Sequence, residues 1–253
     1  RPGVKSTIKS CREAGITPII ITGDHKETAV AVAKKLDIYQ GPESVITGRE
    51  LEMMTGIEFK EKVDKIKIYA RATPTNKIRV VEAWQERGKV VAMTGDGVND
   101  GPALTKADIG VAVGSGTEVA KEASDLVLLD NSFETIVSAV EQGRVIFDNI
   151  RKSISYILAD SFTAVALIGS TLVLGWPLPI LPIQLFWNNI VEDTLPDLAF
   201  AFEKKEEGVM KRKPLSKNEP LLTKEMRVLI FGTGLIDELF SIFIFWFYWK
   251  HLG

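Results

Sequence analysis

The sequence predicts an α/β domain, a parallel sheet with helices on both faces, followed by an α-helical transmembrane segment. Three observations carry that class. Short apolar runs rich in β-branched residues alternate with amphipathic helical stretches over residues 1–152. Two of those runs end in the same tripeptide, Thr22-Gly23-Asp24 and Thr94-Gly95-Asp96, and residues 153–250 hold three long apolar stretches with most of the Trp and Phe. Strands alternating with helices imply a parallel sheet covered on both sides, and about twenty apolar residues cross a hydrocarbon core of roughly 30 Å.

Taken in chain order, Val4 to Ala14 has a helical period, and Thr17 to Ile21 is a continuous apolar strand ending in the first Thr-Gly-Asp. Glu27 to Leu36 reads as an amphipathic helix, Gly41 to Lys60 as a connecting region with little pattern, and Ile66 to Tyr69 as a strand. Thr75 to Arg87 is a helix, Lys89 to Met93 a buried strand bounded by Gly88 and Gly95, and Asp100 to Lys106 a short helix. Ile109 to Val113 and Leu126 to Leu129 are two further strands, separated by a helix over Thr117 to Ser124. Parallel strands present all their carboxyl ends to one side, so both Thr-Gly-Asp turns fall at one sheet edge, where open α/β sheets bind ligands.

Composition narrows the partners. The 253 residues have room for about two domains, and 31 Lys and Arg against 33 Asp and Glu leave a net charge of −2 with no basic stripe, which gives no attraction for nucleic acid. The single cysteine, Cys11, excludes an internal disulfide, fits a cytosolic soluble part and reads as a small buried side chain. No signal peptide or initiator Met precedes Arg1, so the chain reads as beginning inside a longer one.

The run Thr94-Gly95-Asp96-Gly97-Val98-Asn99-Asp100 carries the chemistry. Asp96 sits just past a buried strand between two glycines that admit close approach, and Mg²⁺ usually takes one or two carboxylates plus substrate phosphate oxygens. Asp96 and Asp100, at i and i+4, are placed to supply them. A surface turn with a capping Asp is the competing reading. At the same edge Thr22 offers a hydroxyl and Gly23 an amide to a phosphoryl oxygen, and Lys77, near the start of a helix introduced by Ala72-Thr73-Pro74-Thr75, brings a positive charge. Taken alone, Lys77 would read as solvated surface.

In this order and spacing, TGD, ARATPTNK and TGDGVNDGPAL resemble the phosphorylation domain of P-type cation-transporting ATPases, and the resemblance runs through the whole chain. It implies a haloacid-dehalogenase-type, Rossmann-like domain in which an aspartate is phosphorylated by MgATP and then hydrolysed. It also implies that Thr22, Gly23 and Asp24 form the phosphoryl-contacting turn, that Lys77 neutralises the phosphoryl group, that Asp96 ligates Mg²⁺, and that Asn99 and Asp100 hold the phosphoryl and metal network. Arg1-Pro2-Gly3-Val4 is similar to a family segment that precedes this half of the domain. The family's Asp-Lys-Thr-Gly-Thr nucleophile motif is nowhere in these residues. The chain therefore reads as a C-terminal-side piece of a pump that lacks the nucleotide-binding and actuator domains and the first four membrane helices. Alone, it is expected not to form the aspartyl phosphate.

The membrane half argues separately. Spans are expected at 154–174, 180–202 and 228–249. The turn Gly175 to Pro179 carries no charge, whereas the loop 203–224 carries seven Lys and Arg, which places that loop and residues 1–152 in the cytoplasm. Acids inside spans face a bundle interior or an ion path. Asn189, Glu192 and Asp193, at i, i+3 and i+4, share a helical face, and Pro196 is expected to break the helix and leave the Glu192 carbonyl unpaired, which makes a cation site. Basic partners on other helices are the competing reading. Asp160 and Ser161 are further ligand candidates, with Asp160 also readable as near the cytoplasmic end. Asp237 and Glu238 stand open between a structural contact and a functional role.

Asn189-x-x-Glu192-Asp193 is similar to the sixth helix of calcium-type pumps, where Thr stands in place of Glu192. In the fifth helix Ser161 and Ala164 replace that family's Asn and Glu, so one of two calcium sites is in doubt, and Na⁺, K⁺, Mn²⁺ or H⁺ remain alternatives to Ca²⁺. A soluble phosphatase of the same superfamily would explain the turns without the spans, and a channel the spans without the turns. Phe133 to Arg151 reads as a helix entering the membrane without a flexible linker, able to transmit movement from the phosphoryl edge.

Overall fold

The computed structural model describes residues 3–217 and 219–251, so Arg1 and Pro2 of the N-terminal motif lie outside it. Two compact units are present: residues 1–141 with 210–218, and residues 142–209 with 219–253.

The first unit holds two three-stranded parallel sheets. Strands β1 (Ile20–Ile21), β2 (Val45–Thr47) and β3 (Ile68–Ala70) order as β1-β3-β2, and β4 (Ala92–Gly95), β5 (Ile109–Val113) and β6 (Leu126–Leu128) order as β4-β5-β6. All pairings are parallel. The helices are α1 (Val4–Glu13), α2 (Lys26–Lys35), α3 (Gly48–Met53), α4 (Gly56–Lys62), α5 (Pro74–Glu86), α6 (Gly101–Lys106) and α7 (Glu118–Glu122).

Side-chain alternation along the strands decides which helix covers which face. Tyr69 and Ile46 point into a core with Leu51, Phe59, Val63, Val80 and Trp84, beneath α3, α4 and α5. Ile68, Ala70 and Val45 point the other way, against Ala29 and Ala33 of α2. In the second sheet Ala112 packs with Met93, Ala103, Leu104 and Ala120, while Val111 and Val113 join Leu128 on the opposite face. Helix α5 also backs both sheets, because Ile78 packs on the Met93 core and Val80 and Trp84 on the Tyr69 core.

One expectation is corrected. Residues 41–60 hold β2, α3 and most of α4 rather than an unpatterned connection. Both helices start at capping boxes: Thr47 and Thr55 accept from the Glu50 and Glu58 N–H groups, while each Glu carboxylate accepts from its Thr N–H. Two orphan donors are satisfied at each end, which sustains helices too short to persist by propensity alone.

In the second unit two helices are long and apolar enough to cross a membrane, α8 (Glu134–Val173), which begins in the first unit, and α11 (Lys224–His251). The stretch expected as a single middle span is α9 (Pro182–Asn188), a π-helical turn (Asn189–Asp193) and α10 (Thr194–Ala201). Helices α8 and α11 lie side by side, with Phe162 edge-on to Phe231 at 5.2 Å, and Trp176, just past the end of α8, is 5.5 Å from Trp249.

Candidate functional site

After β1 the first Thr-Gly-Asp stays tied to the chain leaving β3. The Thr22 N–H donates to the Tyr69 carbonyl and the Ala72 N–H to the Thr22 carbonyl, both at 2.9 Å, and the Arg71 N–H reaches the Asp24 carbonyl at 2.9 Å. The Asp24 N–H donates to the Thr22 hydroxyl at 3.1 Å, closing a short turn in which Gly23 and Asp24 are exposed. Nothing stands where a Cβ on Gly23 would go, so packing does not demand glycine there.

After β4 the chain makes a 3₁₀ turn over Val98–Asp100. Asp100 is buried and folds back on the loop: its Oδ2 accepts from the Asp96 and Gly97 N–H groups at 3.2 Å each, and its Oδ1 pairs with the Lys77 ammonium. Lys77 arrives from the start of α5, where the Thr73 hydroxyl accepts from the Asn76 N–H (3.2 Å), the Asn76 amide oxygen accepts from the Thr73 N–H (2.9 Å), and Pro74 occupies a first-turn position. Both side chains of the pair are only 11% exposed, so their attraction is little screened. Gly95 is required because a Cβ there would run into the Asp100 side chain.

Asp96 and Asp100 are not one helical turn apart, as their spacing predicts, because the chain between them forms a 3₁₀ turn. Asp96 precedes the 3₁₀ turn, exposed, while Asp100 spends its oxygens on Lys77 and the loop backbone. Asn99 is exposed beside them. Among the described residues no group of three or more His, Cys, Asp and Glu side chains could hold a metal ion. Three supports escaped the sequence reading. The Thr117 N–H donates to the Asp96 carbonyl at 2.9 Å, and Gly116 lies so close that a Cβ would be 3.1 Å from that oxygen. Arg71, at a left-handed φ of 49°, lays its guanidinium 2.6 Å from His25 Nδ1 beside the first turn. A positive φ on a non-glycine residue leaves no trace in sequence.

In the second unit Asn189, Glu192 and Asp193 all fall in the π turn, whose i to i+5 bonding widens the helix and is frequent at functional sites. The expected break at Pro196 is corrected: α10 continues through the proline, and the Glu192 carbonyl that Pro196 cannot bond accepts instead from the Tyr156 hydroxyl at 2.9 Å. Asn189 and Glu192 are exposed and Asp193 half-buried, with Asp193 Oδ1 buried and unpartnered. Asp197, one turn on, also has a buried, unpartnered Oδ1 and was not singled out from sequence. Asp160 and Ser161 lie on α8, half-buried and exposed respectively.

Residues 1–108 match the haloacid dehalogenase-like hydrolase family, and residues 177–253 match the cation transporting ATPase C-terminus family. A chain that joins these two regions is P-type cation-ATPase-like. Several of its relatives are named as calcium pumps: it is 47% identical over 237 residues to calcium-transporting ATPase 1 of Lactococcus lactis, covering 93% of this chain and 27% of the relative. It is 44% identical over 246 residues to the calcium-transporting ATPase of Bacillus subtilis (97% and 28%), and 41% identical over 259 residues to the endoplasmic reticulum calcium ATPase srcA of Aspergillus fumigatus (100% and 27%). The chain thus spans about a quarter of the length of the curated relatives it matches.

Proposed function

We propose that this chain is the phosphoryl-handling and ion-binding portion of an ATP-driven cation pump that works through an aspartyl phosphate, with Ca²⁺ as the cargo. The observation that supports the reading is the Lys77–Asp100 pair, which ties the helix after β3 to the loop after β4.

In this reading the Thr22 hydroxyl and Gly23 N–H bind the phosphoryl oxygens, with Asp24 closing that turn, and Lys77 neutralises charge on the transferring group. Asp100 keeps Lys77 aimed and fixes the loop, so that Asp96 and Asn99 face the reacting edge. An exposed hard carboxylate at Asp96 beside oxygen donors fits one side of a Mg²⁺ ion, which supplies neutralisation of phosphate charge when bound. Strands β1 and β4 each have one unpaired edge, and α5 backs both. A further parallel strand, bearing the nucleophilic Asp and coming from elsewhere in the pump, would fit between them. The 253-residue chain contains no such motif and is not expected to be labelled by ATP alone.

The cargo site in this reading is the π turn: Asn189, Glu192 and Asp193, with Asp160 and Ser161 from α8. Residues 1–152 and 203–224 are read as cytoplasmic, 154–174, 180–202 and 228–249 as spanning the bilayer, and the rest of the pump as the chain's partner. The test is the ATPase activity of the full-length protein across Ca²⁺, Mn²⁺, Na⁺, K⁺ and pH. Stimulation by Ca²⁺ at the lowest concentration supports the assignment. Stimulation by another ion alone replaces the cargo, and hydrolysis indifferent to every ion favours a haloacid-dehalogenase-like phosphatase.

A further inference from the structure

The backbone of Asp96 is held on two sides. Its N–H donates to Asp100 Oδ2 at 3.2 Å, and its carbonyl accepts from the Thr117 N–H at 2.9 Å. Thr117 ends the turn Gly114-Ser115-Gly116-Thr117, which leaves β5 at the same carboxyl edge. That turn is wedged between the chain after β4 and the chain after β6. The Gly114 N–H donates to the Leu128 carbonyl at 2.8 Å, and the Ser115 N–H donates to the Asn131 amide oxygen, also at 2.8 Å. A Cβ on Gly114 would stand 3.0 Å from the Leu128 oxygen and one on Gly116 3.1 Å from the Asp96 oxygen, so the turn packs on both neighbours without slack.

Asn131 is the last contact on that path before α8. It is half-buried and takes a left-handed φ of 53°, which Asn tolerates better than most residues other than glycine. Its own N–H donates to the Leu128 carbonyl at 3.1 Å, so backbone and side chain both bind the sheet edge. The residues beside it bind the helix instead. The Asp130 carboxylate accepts from the Ser132 N–H at 3.0 Å and from the Thr135 hydroxyl at 2.5 Å, and the Ser132 hydroxyl accepts from the Glu134 N–H at 3.1 Å. These bonds satisfy donors that the first turn of α8 would otherwise leave open.

We propose that Asn131 is a positioning residue for Asp96. Its amide oxygen pins the Ser115 N–H, the turn pins the Asp96 carbonyl, and the metal-facing loop and the first turn of α8 therefore shift together. Short hydrogen bonds and close backbone contact carry a displacement from one end of the path to the other, whereas a solvated loop would absorb it. Every contact in the path lies within residues 1–141. The proposal rests on the reading of Asp96 as a Mg²⁺ ligand.

Hydrogen exchange of the full-length protein, read by mass spectrometry with and without Mg²⁺, tests it. In the wild type Mg²⁺ should slow exchange in residues 94–100 and, in parallel, in residues 132–137. Asn131→Gly keeps the left-handed backbone accessible and removes the acceptor. There Mg²⁺ should still slow 94–100 but no longer 132–137, and the Mg²⁺ concentration giving half of the protection should rise about fivefold, the usual net effect of one lost hydrogen bond. Asn131→Asp keeps an acceptor oxygen in place and should restore both effects. Protection confined to 94–100 in the wild type, Asn131→Gly behaving as the wild type, or Asn131→Asp as impaired as Asn131→Gly would overturn the proposal. The wild-type and Asn131→Asp comparisons decide it without a folded Asn131→Gly. Absence of any Mg²⁺ effect on 94–100 in the wild type would instead remove the metal reading of Asp96 itself.

Discussion

The hydroxyl of Tyr156 donates to the carbonyl of Glu192 at 2.9 Å, across from one helix to the next. That carbonyl is the one Pro196 cannot bond, because proline has no N–H. The contact therefore satisfies the backbone at the π turn that carries Asn189, Glu192 and Asp193, and fixes α8 beside it.

Removing the hydroxyl in Tyr156→Phe should cost about 1 kcal/mol of stability, the usual net value of one hydrogen bond. If the π turn is the cargo site, half-saturation by the activating ion should also shift upward while maximal turnover changes less. Denaturant unfolding and ion titration of the full-length protein check the two effects separately.

Asp100→Asn should be among the most damaging conservative changes in the α/β unit. It leaves Lys77 shielded from water without its counter-charge, a loss of about 3 kcal/mol for a pair this buried. A double-mutant cycle with Lys77→Met should show a coupling above about 1 kcal/mol, and additive losses would mean that the pair is incidental.

The two Thr-Gly-Asp glycines should behave differently. Gly95→Ala drives a Cβ into the Asp100 side chain and should destabilise by about 1–3 kcal/mol, as overpacking does. Gly23→Ala meets open space, so the thermal midpoint should hold while phosphoryl transfer falls, because the methyl group projects from the turn read as contacting the phosphoryl oxygens.

Asp108 gives a pH dependence. Burial pushes its carboxyl upward, but this is outweighed by the Lys217 ammonium at 2.8 Å, the Val91 N–H at 2.9 Å and the Gln85 amide at 3.2 Å, leaving it below its ordinary value of 3.8. A lowered carboxyl contributes stability that is complete well above pH 3.8 and is lost as pH falls through the lower, folded value. Lys217→Ala should therefore reduce stability at neutral pH and flatten its decline on acidification, read from denaturant midpoints across that range.

The strands and long helices were legible because their apolar periods are strong, and Lys77 was legible because Thr73-Pro74 announces the helix start that delivers it. Residues 41–60 were missed although Thr47-x-x-Glu50 and Thr55-x-x-Glu58 both carry the capping signature, because the elements they open are about two turns long and too short for a period. Pro196 marked the right place in the second unit, but the compensation came from Tyr156, 36 positions away, and no local pattern predicts it. Spacing and the resemblance both place Asp100 at the phosphoryl and metal network, but neither shows which way its carboxylate turns. Its actual orientation depends on the turn type after β4 and on a lysine brought from another helix.

In the proposed pump the phosphoryl edge and the π turn serve one cycle. The most direct measurement is acid-stable, hydroxylamine-sensitive incorporation of phosphate from γ-labelled ATP into the full-length protein as Ca²⁺ is varied, in the wild type and in Glu192→Gln with Asp193→Asn. Labelling should require Ca²⁺ and shift at least tenfold to higher Ca²⁺ in the double variant, equivalent to about 1.4 kcal/mol of lost ion binding. Labelling of equal extent without added cation, unchanged by the two substitutions, would contradict a shared cycle.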